Sequence, residues 1–184
     1  MAEFKKHDMN TAPEGAKPLL ENSQKNMGRI PGLHGIMAES PQLLEGYQKL
    51  HQLVLETSFD NDEKTVVWQT INVENACHYC VPAHTGIAKM MGVSDDIINP
   101  LRDETPLPSE KLEALRTFTL AVMNKQGNVS QEDMAAFFEA GYNNRQVLEV
   151  ILVLSQKVIS NYVNHIAETP VDEPFKKFAW SKNQ

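Results

Sequence analysis

The sequence predicts an all-α fold, and three features of the chain predict it. Along most of its length, apolar residues recur at intervals of three and four, which is the spacing of one helix face. Side-chain caps, prolines at first helical positions and terminating glycines divide this pattern into segments of helical length. The sequence has neither the sustained alternation of apolar and polar residues typical of a half-buried strand nor an Asn-Gly or Asp-Gly hairpin signal.

The 184 residues are enough for one domain with a sizeable core. With 41% hydrophobic and 22% charged residues, the composition is typical of a globular protein rather than a disordered one. Residues 1–12 are polar and lack periodicity, so we expect a flexible N-terminal arm there. A single helical domain is predicted at 13–178, followed by a C-terminal tail at 179–184.

Three helices and one loop are predicted in the first half of the chain. The first helix spans 18–28, and the Gly/Pro-rich stretch 29–35 is predicted as a connecting loop. Ser40, a side-chain cap followed by proline, begins a second helix of about four turns. Asp60, with a glutamate three residues later, begins a third helix as a variant of the capping box, and this helix runs towards Asn75.

Five more helices are predicted in the second half. One spans 83–91 and is ended by a glycine, and three others begin at the serine caps Ser94, Ser109 and Ser130. The last and longest spans 144–169, where a proline stops it. Nine apolar residues lie on one wide stripe of this helix, namely Val147, Leu148, Ile151, Leu154, Val158, Ile159, Tyr162, Val163 and Ile166.

Charge and hydropathy exclude several classes of function. With 17 Lys+Arg against 24 Asp+Glu, the net charge is -7, whereas nucleic acids and anionic membrane surfaces are bound by basic faces. No apolar run approaches the roughly 20 residues that span a bilayer. The first residues lack the apolar segment of a secretory signal, so we expect a cytoplasmic protein in a reducing compartment.

The candidate functional residues surround a pair of cysteines at the entrance of a helix. Cys77 and Cys80 are separated by two residues, which brings both sulfurs within disulfide reach. The helix dipole stabilises a thiolate at this position and so lowers the thiol pKa. His84 lies one helical turn after Cys80 and two turns after Cys77, so it is on the same helix face as both cysteines. There it can act as a base or proton relay. The spacing therefore indicates thiol redox chemistry.

Two other interpretations of these residues remain open. The cysteines can be buried small hydrophobes, with His84 a satisfied core histidine. Alternatively, the two cysteines and this histidine can bind zinc, with His78 or His165 as a fourth ligand. Structural zinc sites usually combine two ligand pairs from separate segments, and the sequence has no second pair with that spacing.

The motif Cys77-His78-Tyr79-Cys80 with His84, followed later by the segment 164–170, resembles the carboxymuconolactone decarboxylase superfamily. Within it, the motif is similar to that of the AhpD-like alkylhydroperoxidase branch. Further positions are similar to the peroxidase-related members of that branch, namely Leu19-Leu20, Gly28, Pro31, the step Ala38-Glu39-Ser40-Pro41, and Leu44. The resemblance extends over nearly all of 13–178.

The resemblance implies an all-helical AhpD-like fold in an intertwined homo-oligomer, commonly a trimer or hexamer, with the cysteines near a subunit contact. It also implies that Cys80 is the peroxidatic cysteine, Cys77 the resolving one, and His84 the histidine of the motif. In the implied reaction, the Cys80 thiolate attacks the peroxide O–O bond and becomes a sulfenic acid, which condenses with Cys77 to a disulfide.

The sequence departs from the family at two positions. The family has a glutamate twelve residues before the first cysteine, which completes a proton relay, and the corresponding residue here is Thr65. Threonine cannot replace it as a base. Glu63 would point to another side of the helix, so Glu74 is our candidate replacement, with a solvated carboxylate at a helix end as its alternative. Tyr79 stands where the family has a second histidine; a tyrosine there can donate a hydrogen bond to a thiolate or simply pack, and we expect it to pack.

We therefore predict a thiol-dependent peroxidase that reduces small organic hydroperoxides or hydrogen peroxide through a dithiol/disulfide cycle. A dithiol, such as that of a lipoylated protein, would donate the electrons, and no cofactor or metal is expected. One rival is a lyase that decarboxylates a carboxylated lactone, which would not need paired thiols. The other is a non-catalytic oligomer in which the two cysteines sense redox state or bind a metal.

Overall fold

The computed structural model describes residues 4–182, which form nine α-helices, two short 3-10 helices and no β-strand, so the all-α prediction is confirmed. The α-helices are α1 (Lys17–Met27), α2 (Gly32–Met37), α3 (Pro41–Leu55), α4 (Asn61–Glu74), α5 (Cys80–Met90), α6 (Asp95–Asp103), α7 (Glu110–Asn124), α8 (Gln131–Glu139) and α9 (Asn144–Ile166). The 3-10 helices are Glu14–Ala16 and Glu173–Phe178, and we call the second the C-terminal 3-10 helix.

The predicted caps explain where most of the helices begin. Asp60 accepts a hydrogen bond from the backbone N–H of Glu63, whose side chain accepts one from the backbone of Asp60, so the capping box is complete. Serine side chains accept hydrogen bonds from first-turn N–H groups at the other predicted starts, Ser40, Ser94, Ser109 and Ser130. These contacts satisfy backbone donors that a helix leaves unpaired.

Several helix boundaries differ from the prediction, and the last helix ends at Ile166 rather than at 169. Part of the stretch 29–35 belongs to α2, which is buried at every residue. Gly35 permits this close packing, because a Cβ there would lie 2.8 Å from the backbone oxygen of His7. The helix α5 begins at Cys80 instead of Ala83, since the proline between them is tolerated in a first turn.

Both terminal segments lie against the helices as far as they are described. Residues 4–12 of the predicted arm do not extend freely, because the backbone N–H of His7 donates to Gly35 O at 3.0 Å and the His7 ring is buried. At the other end, the indole N–H of Trp180 donates to Arg102 O at 2.9 Å. Residues 1–3 of the arm and 183–184 of the tail lie outside the described residues.

Two apolar cores meet beside α4 and α9. The larger core is built mainly by α4, α6, α7, α8 and the first half of α9. The smaller core is built by apolar side chains within 12–47 and 77–83. Because α4 packs against α5, α6, α7 and α9, it connects the two cores. The two cysteines belong to the smaller core, where α5 meets α4 and α9.

The longest helix, α9, has a polar face inside the protein and an apolar face outside. None of the nine residues of the predicted apolar stripe is fully buried, and four are widely exposed, namely Leu148 (67%), Ile151 (45%), Tyr162 (55%) and Ile166 (69%). The buried residues of α9 are instead Val150, Val153, Gln156, Lys157, Ser160, Asn161 and Asn164. Although α9 is long, neither it nor another helix in residues 4–182 has the length and apolar character to cross a membrane.

Candidate active site

A left-handed turn places the first cysteine directly before α5. The helix α4 ends at Glu74, and Ala76 adopts φ 50°, a conformation that non-glycine residues rarely adopt. The backbone N–H of Cys77 donates to Asn72 O at 2.9 Å, and that of Ala76 donates to Val73 O at 2.9 Å. This pair of bonds is a Schellman motif, which ends α4 and reverses the chain. The cysteines therefore lie at the start of the next helix.

The second cysteine is the first residue of α5, with its backbone turned towards the first. The backbone N–H of Cys80 donates to Cys77 Sγ at 3.2 Å. Both cysteines are free thiols and both are buried. The side chain of Asn164, on α9, donates to Cys80 Sγ at 3.3 Å. The Asn164 amide thus stabilises negative charge on Cys80 Sγ, whereas the first-turn N–H of α5 donates to Cys77 Sγ.

Buried amides hold α9 in register against α4. Asn161 donates to Asn72 Oδ1 at 3.0 Å and accepts from Asn75 at 2.9 Å. Asn72 donates in turn to Gln69 Oε1 at 3.1 Å. Because each buried polar group would be costly if left unpaired, this chain of hydrogen bonds fixes the position of α9 and therefore of Asn164 beside the thiol.

A buried lysine and the motif histidine form a pair beside the thiols. Lys157 Nζ lies 2.9 Å from His84 Nε2, and both side chains are buried. Burial lowers the pKa of His84 well below its ordinary value, and the charge of Lys157 lowers it further. Burial also lowers the pKa of Lys157, whereas a thiolate at Cys80 raises it. His84 is therefore a neutral ring that accepts a hydrogen bond from the lysine.

The two thiols have opposite tendencies to ionise. Burial alone raises the pKa of the Cys80 thiol, but a hydrogen bond from Cys77 and the charge of Lys157 outweigh it and lower that pKa to about 6. The pKa of Cys77 is raised well above its ordinary value by its hydrogen bond to Cys80 and by burial. Cys80 is thus the thiolate near neutral pH, and Cys77 remains a thiol that donates to it.

A cavity of about 1170 Å³ reaches Cys80, His84 and Lys157, and Cys77 does not line it. Five rings follow one another along its wall, with centroid distances of 5.6, 6.5, 6.2 and 5.0 Å, in the order His34, Tyr47, His51, Trp68 and His84. Burial lowers the pKa values of His34 and His51 to about 4, so both are neutral at neutral pH. The cavity can therefore hold an apolar or aromatic molecule in contact with the reactive sulfur.

The structure brings together three of the four site residues predicted from the sequence. Cys77, Cys80 and His84 lie at one place, but Glu74 does not join them. Its carboxylate accepts from Asn124 at 3.1 Å and pairs with Lys182 at 3.5 Å, on the surface of the protein. The left-handed turn is the physical reason, because it separates the end of α4 from the thiols that follow.

The other family positions do not supply a base either. Thr65 is buried, and its hydroxyl has no hydrogen-bond partner among the described residues. The Tyr79 hydroxyl donates to Asp172 Oδ2 at 2.7 Å, so it connects α5 to the C-terminal segment instead of contacting a thiol. Within residues 4–182, no three His, Cys, Asp or Glu side chains converge as a metal site. His78, the suggested fourth zinc ligand, uses Nε2 to bond Thr169 O at 3.0 Å.

Two residues of the site, Lys157 and Asn164, are absent from the prediction. They lie far from the motif in sequence, Lys157 73 residues after His84 and Asn164 84 residues after Cys80. A signal for them does exist in the sequence. Polar residues recur on one face of the predicted last helix, at 156, 157, 160, 161 and 164. Uncharged amides in this repeat are typical of a buried polar face.

Comparisons with known proteins give a family match over part of the chain and a shared fold over nearly all of it. Residues 41–104, which include both cysteines and the motif histidine, match the Carboxymuconolactone decarboxylase family. No curated protein sequence matches the chain.

Three solved structures share the fold over nearly the whole chain. An alkylhydroperoxidase AhpD core protein of Ralstonia eutropha JMP134, described as an uncharacterized peroxidase-related protein, has a TM-score of 0.80 at 16% identity and covers 95% of this chain and 96% of its own. An uncharacterized peroxidase-related protein from Silicibacter sp. TM1040 has a TM-score of 0.77 at 15% identity, with 95% of both chains covered. A cysteine-to-alanine variant of the debrominase Bmp8 in complex with 2,3,4-tribromopyrrole has a TM-score of 0.77 at 15% identity, covering 96% of this chain and 95% of that one. At these identities the likeness shows an AhpD-like fold.

Proposed function

Since residues 41–104 match the Carboxymuconolactone decarboxylase family and the chain has an AhpD-like fold, we propose that it is a thiol-dependent peroxidase. Its substrates would be small organic hydroperoxides or hydrogen peroxide. The observation that carries the proposal is the position of Cys80 at the wall of a large cavity, with a second cysteine one turn before it whose Sγ accepts from the Cys80 backbone N–H. Paired thiols of different pKa suit a reaction in which one sulfur attacks and the other resolves.

The reaction begins at the sulfur that lines the cavity. The Cys80 thiolate attacks one peroxide oxygen, the O–O bond breaks, and the other oxygen leaves as an alcohol or water after taking up a proton. Cys80 is now a sulfenic acid. The Cys77 thiol condenses with it, which releases water and forms the disulfide. A dithiol donor, such as a lipoylated protein, then reduces the disulfide to the two thiols.

Peroxide consumption with a defined dithiol tests the proposal. Reduced protein is given cumene hydroperoxide or hydrogen peroxide with dihydrolipoamide, and the wild type is compared with Cys80→Ser and Cys77→Ser. Cys80→Ser should abolish turnover. Without dihydrolipoamide, Cys77→Ser should stop after one turnover at a sulfenic acid, which a dimedone adduct would reveal. Glu74→Gln is the matched control and should keep wild-type activity, because Glu74 lies away from the thiols. A wild type that consumes no hydroperoxide would contradict the proposal.

Three further measurements on the same proteins separate the peroxidase from its rivals: lactone decarboxylation, disulfide formation and metal content. A lyase acting on a carboxylated lactone would keep its activity in Cys80→Ser, because decarboxylation does not use paired thiols. A redox sensor would form the disulfide with peroxide but would not turn over with dihydrolipoamide. A metal-binding protein would retain a stoichiometric metal after purification, and its thiols would be protected from alkylation until the metal is removed.

Reductive debromination is a second candidate, favoured by the ring-lined wall of the cavity and by the debrominase of the same fold. The electron balance is the same as for peroxide reduction. Two thiols supply two electrons and two protons, the carbon–bromine bond is replaced by a carbon–hydrogen bond, and bromide is released as the disulfide forms. Release of bromide from 2,3,4-tribromopyrrole by the reduced protein, with Cys80→Ser as control, would distinguish this activity from peroxide reduction.

We also propose that the protein is a homo-oligomer. The apolar outer face of α9 supports this, because Leu148, Ile151, Tyr162 and Ile166 expose large side chains along one helix. Solvent-exposed apolar patches of this kind are typical of subunit contacts. A second copy of the chain would cover a continuous apolar surface that water otherwise contacts.

A further inference from the structure

Lys157 is buried where no carboxylate in the described part of the chain accompanies it. The residue is 1% exposed, and it takes part in none of the ion pairs found in residues 4–182. Its Nζ is 2.9 Å from Nε2 of His84, a neutral group. A buried ammonium without an anion is strongly unfavourable, so such a lysine either loses its proton or lies close to an anion of another kind.

Most of the titratable groups around Lys157 and the thiols lie on α3 and α5, and the turn before α5 contributes Cys77. The ring groups Tyr47 and His51 lie on α3, while Cys80 and His84 lie on α5. Burial keeps His51 neutral by lowering its pKa to about 4, and it keeps Tyr47 neutral by raising its pKa. His84 is neutral for the same reason as His51. One buried carboxylate, Asp172, also lines the cavity, but it accepts from the Tyr79 hydroxyl at 2.7 Å and from the backbone N–H of Gly32 at 3.0 Å. The anion left for Lys157 near neutral pH is therefore a thiolate.

We infer that Lys157 is the acid–base residue of the site, which takes the proton of Cys80 to form a buried thiolate–ammonium pair and later gives a proton to the leaving oxygen of the substrate. The first half of this inference concerns the reduced protein alone. The second half rests on the proposed peroxidase function.

Lys157 returns to its neutral form in each cycle, and the proton taken from Cys80 leaves with the alcohol. The neutral Lys157 amine accepts the Cys80 proton, which leaves an ammonium group beside a thiolate. The thiolate gives two electrons to the peroxide, the O–O bond breaks, and the leaving alkoxide takes the proton from Lys157 as an alcohol. Lys157 is then neutral again. Its counterion, the Cys80 thiolate, disappears in the same step because Cys80 has become a sulfenic acid. Condensation with the Cys77 thiol releases water and forms the disulfide.

His84 has a different task in this arrangement from the one predicted for it. An ammonium group can only donate, so His84 Nε2 accepts from Lys157, and the ring proton is assigned to Nδ1. Because burial keeps the ring neutral, it does not need to take up the thiol proton itself. We treat His84 as a positioning residue that holds the amine of Lys157 at the cavity wall that Cys80 also lines.

Two substitutions of Lys157 separate the effect of its positive charge from the effect of its proton transfer. Lys157→Met keeps the length of the side chain and removes the charge, whereas Lys157→Arg keeps a charge that does not give up its proton. The titration of Cys80 is followed by the ultraviolet absorbance of its thiolate in the Cys77→Ser background. Turnover of cumene hydroperoxide is followed in chains that keep both cysteines. Lys111→Met, at a surface lysine paired with Glu63, is the matched control.

We expect Lys157→Met to move the Cys80 titration midpoint up from about 6 by at least roughly one pH unit, with an about tenfold loss of thiolate below the new midpoint. Lys157→Arg should keep a low midpoint but lower the kcat for cumene hydroperoxide by at least about tenfold. Lys111→Met should change neither. If circular dichroism shows that Lys157→Met is unfolded, Lys157→Gln, which keeps a donor to His84, serves in its place with the same expectation.

Other outcomes would overturn parts of this inference separately. An unchanged midpoint in Lys157→Met would contradict the ion pair, and full turnover in Lys157→Arg would contradict the proton transfer. A midpoint that depends on Lys157 in a wild type that consumes no hydroperoxide would support the ion pair and reject the proposed peroxidase. For the positioning role, His84→Gln should keep the low midpoint because its amide oxygen can accept from Lys157, and His84→Leu should raise it.

Discussion

Among single residues, Cys80 is the thiol on which the proposed reaction depends, and its protonation state sets its expected reactivity. Its pKa is lowered to about 6, so the thiolate predominates above that pH and is lost as the pH falls through it. We expect the rate of iodoacetamide alkylation of Cys80 to be flat near neutral pH and to fall about tenfold per pH unit below about 6. The Cys77→Ser variant isolates this thiol and keeps a hydroxyl donor beside it. A midpoint near that of free cysteine, about 8.5, would contradict the prediction.

Asn164 should contribute to the same titration. Its amide donates to Cys80 Sγ at 3.3 Å, and hydrogen bonds to a charged group contribute roughly 1.5–3 kcal/mol. We therefore expect Asn164→Ala to raise the pKa of Cys80 by about one to two units. Asn164→Asp, which places a second negative charge beside the sulfur, should raise it at least as far. Titrations of both variants in the Cys77→Ser background would check this, and a midpoint that stays at the wild-type value in both would refute it.

The sequence predicts the local half of the site and misses the distant half. Cys77, Cys80 and His84 are recognisable because they lie within eight residues of one another at helical spacing. Lys157 and Asn164 come from another helix, and only the tertiary packing of α9 brings them to the thiol. Glu74 is close in sequence but far in space, because the backbone reverses direction at the residue after next.

At the level of helices and turns, the reversal between α4 and α5 depends on Ala76. The left-handed backbone conformation costs a residue with a Cβ roughly 1–2 kcal/mol of conformational free energy, whereas glycine adopts it freely. We expect Ala76→Gly to stabilise the protein by about 1 kcal/mol, or roughly 2–4 °C in Tm. Ala121→Gly, inside α7, should instead destabilise it by about 0.5–1 kcal/mol. Thermal unfolding of both variants and the wild type tests this prediction. A Tm of Ala76→Gly below that of the wild type would show that it is wrong.

The contact between α5 and the C-terminal 3-10 helix depends on Gly86. A Cβ at this position would lie 2.5 Å from the Phe175 ring and 3.2 Å from Phe178. We expect Gly86→Ala to displace the C-terminal 3-10 helix and to destabilise the protein by about 1–3 kcal/mol. Because Phe175 lines the cavity, the KM for cumene hydroperoxide should rise as well. Gly46→Ala, in α3 with open space around it, is the matched control, and equal stability of the two variants would argue against this contact.

Helix starts are well predicted because their causes are local. A capping side chain and the backbone N–H groups it accepts from lie within one turn, so Ser40 and Asp60 identify their helices without tertiary information. The short helix α2 is different, since six residues rarely form a stable helix alone. Burial of its whole surface stabilises it, and the sequence of 29–35 does not reveal that burial. The inward polar face of α9 was missed for a similar reason, because its apolar residues dominate the pattern.

For the whole molecule, the outer face of α9 predicts self-association. Leu148 and Ile166 are more than two thirds exposed, and Ile151 and Tyr162 lie between them. We expect the wild type to be larger than a monomer by light scattering after gel filtration, and Leu148→Lys with Ile166→Lys to dissociate it. Leu53→Lys, an exposed leucine on α3 outside this face, should leave the mass unchanged. A monomeric wild type at micromolar concentration would refute the proposed homo-oligomer.

In the proposed homo-oligomer, the two faces of α9 would link subunit association to the chemistry of the thiols. A helix is about 10–12 Å across with its side chains, so a neighbouring subunit on the outer face would lie only that far from the lysine and the amide on the inner face. Subunit association would restrain the helix that positions both groups, and dissociation would release it. Specific activity would then rise with protein concentration over the range in which the subunits assemble, so the amount of the protein in a cell would also set how reactive each of its thiols is.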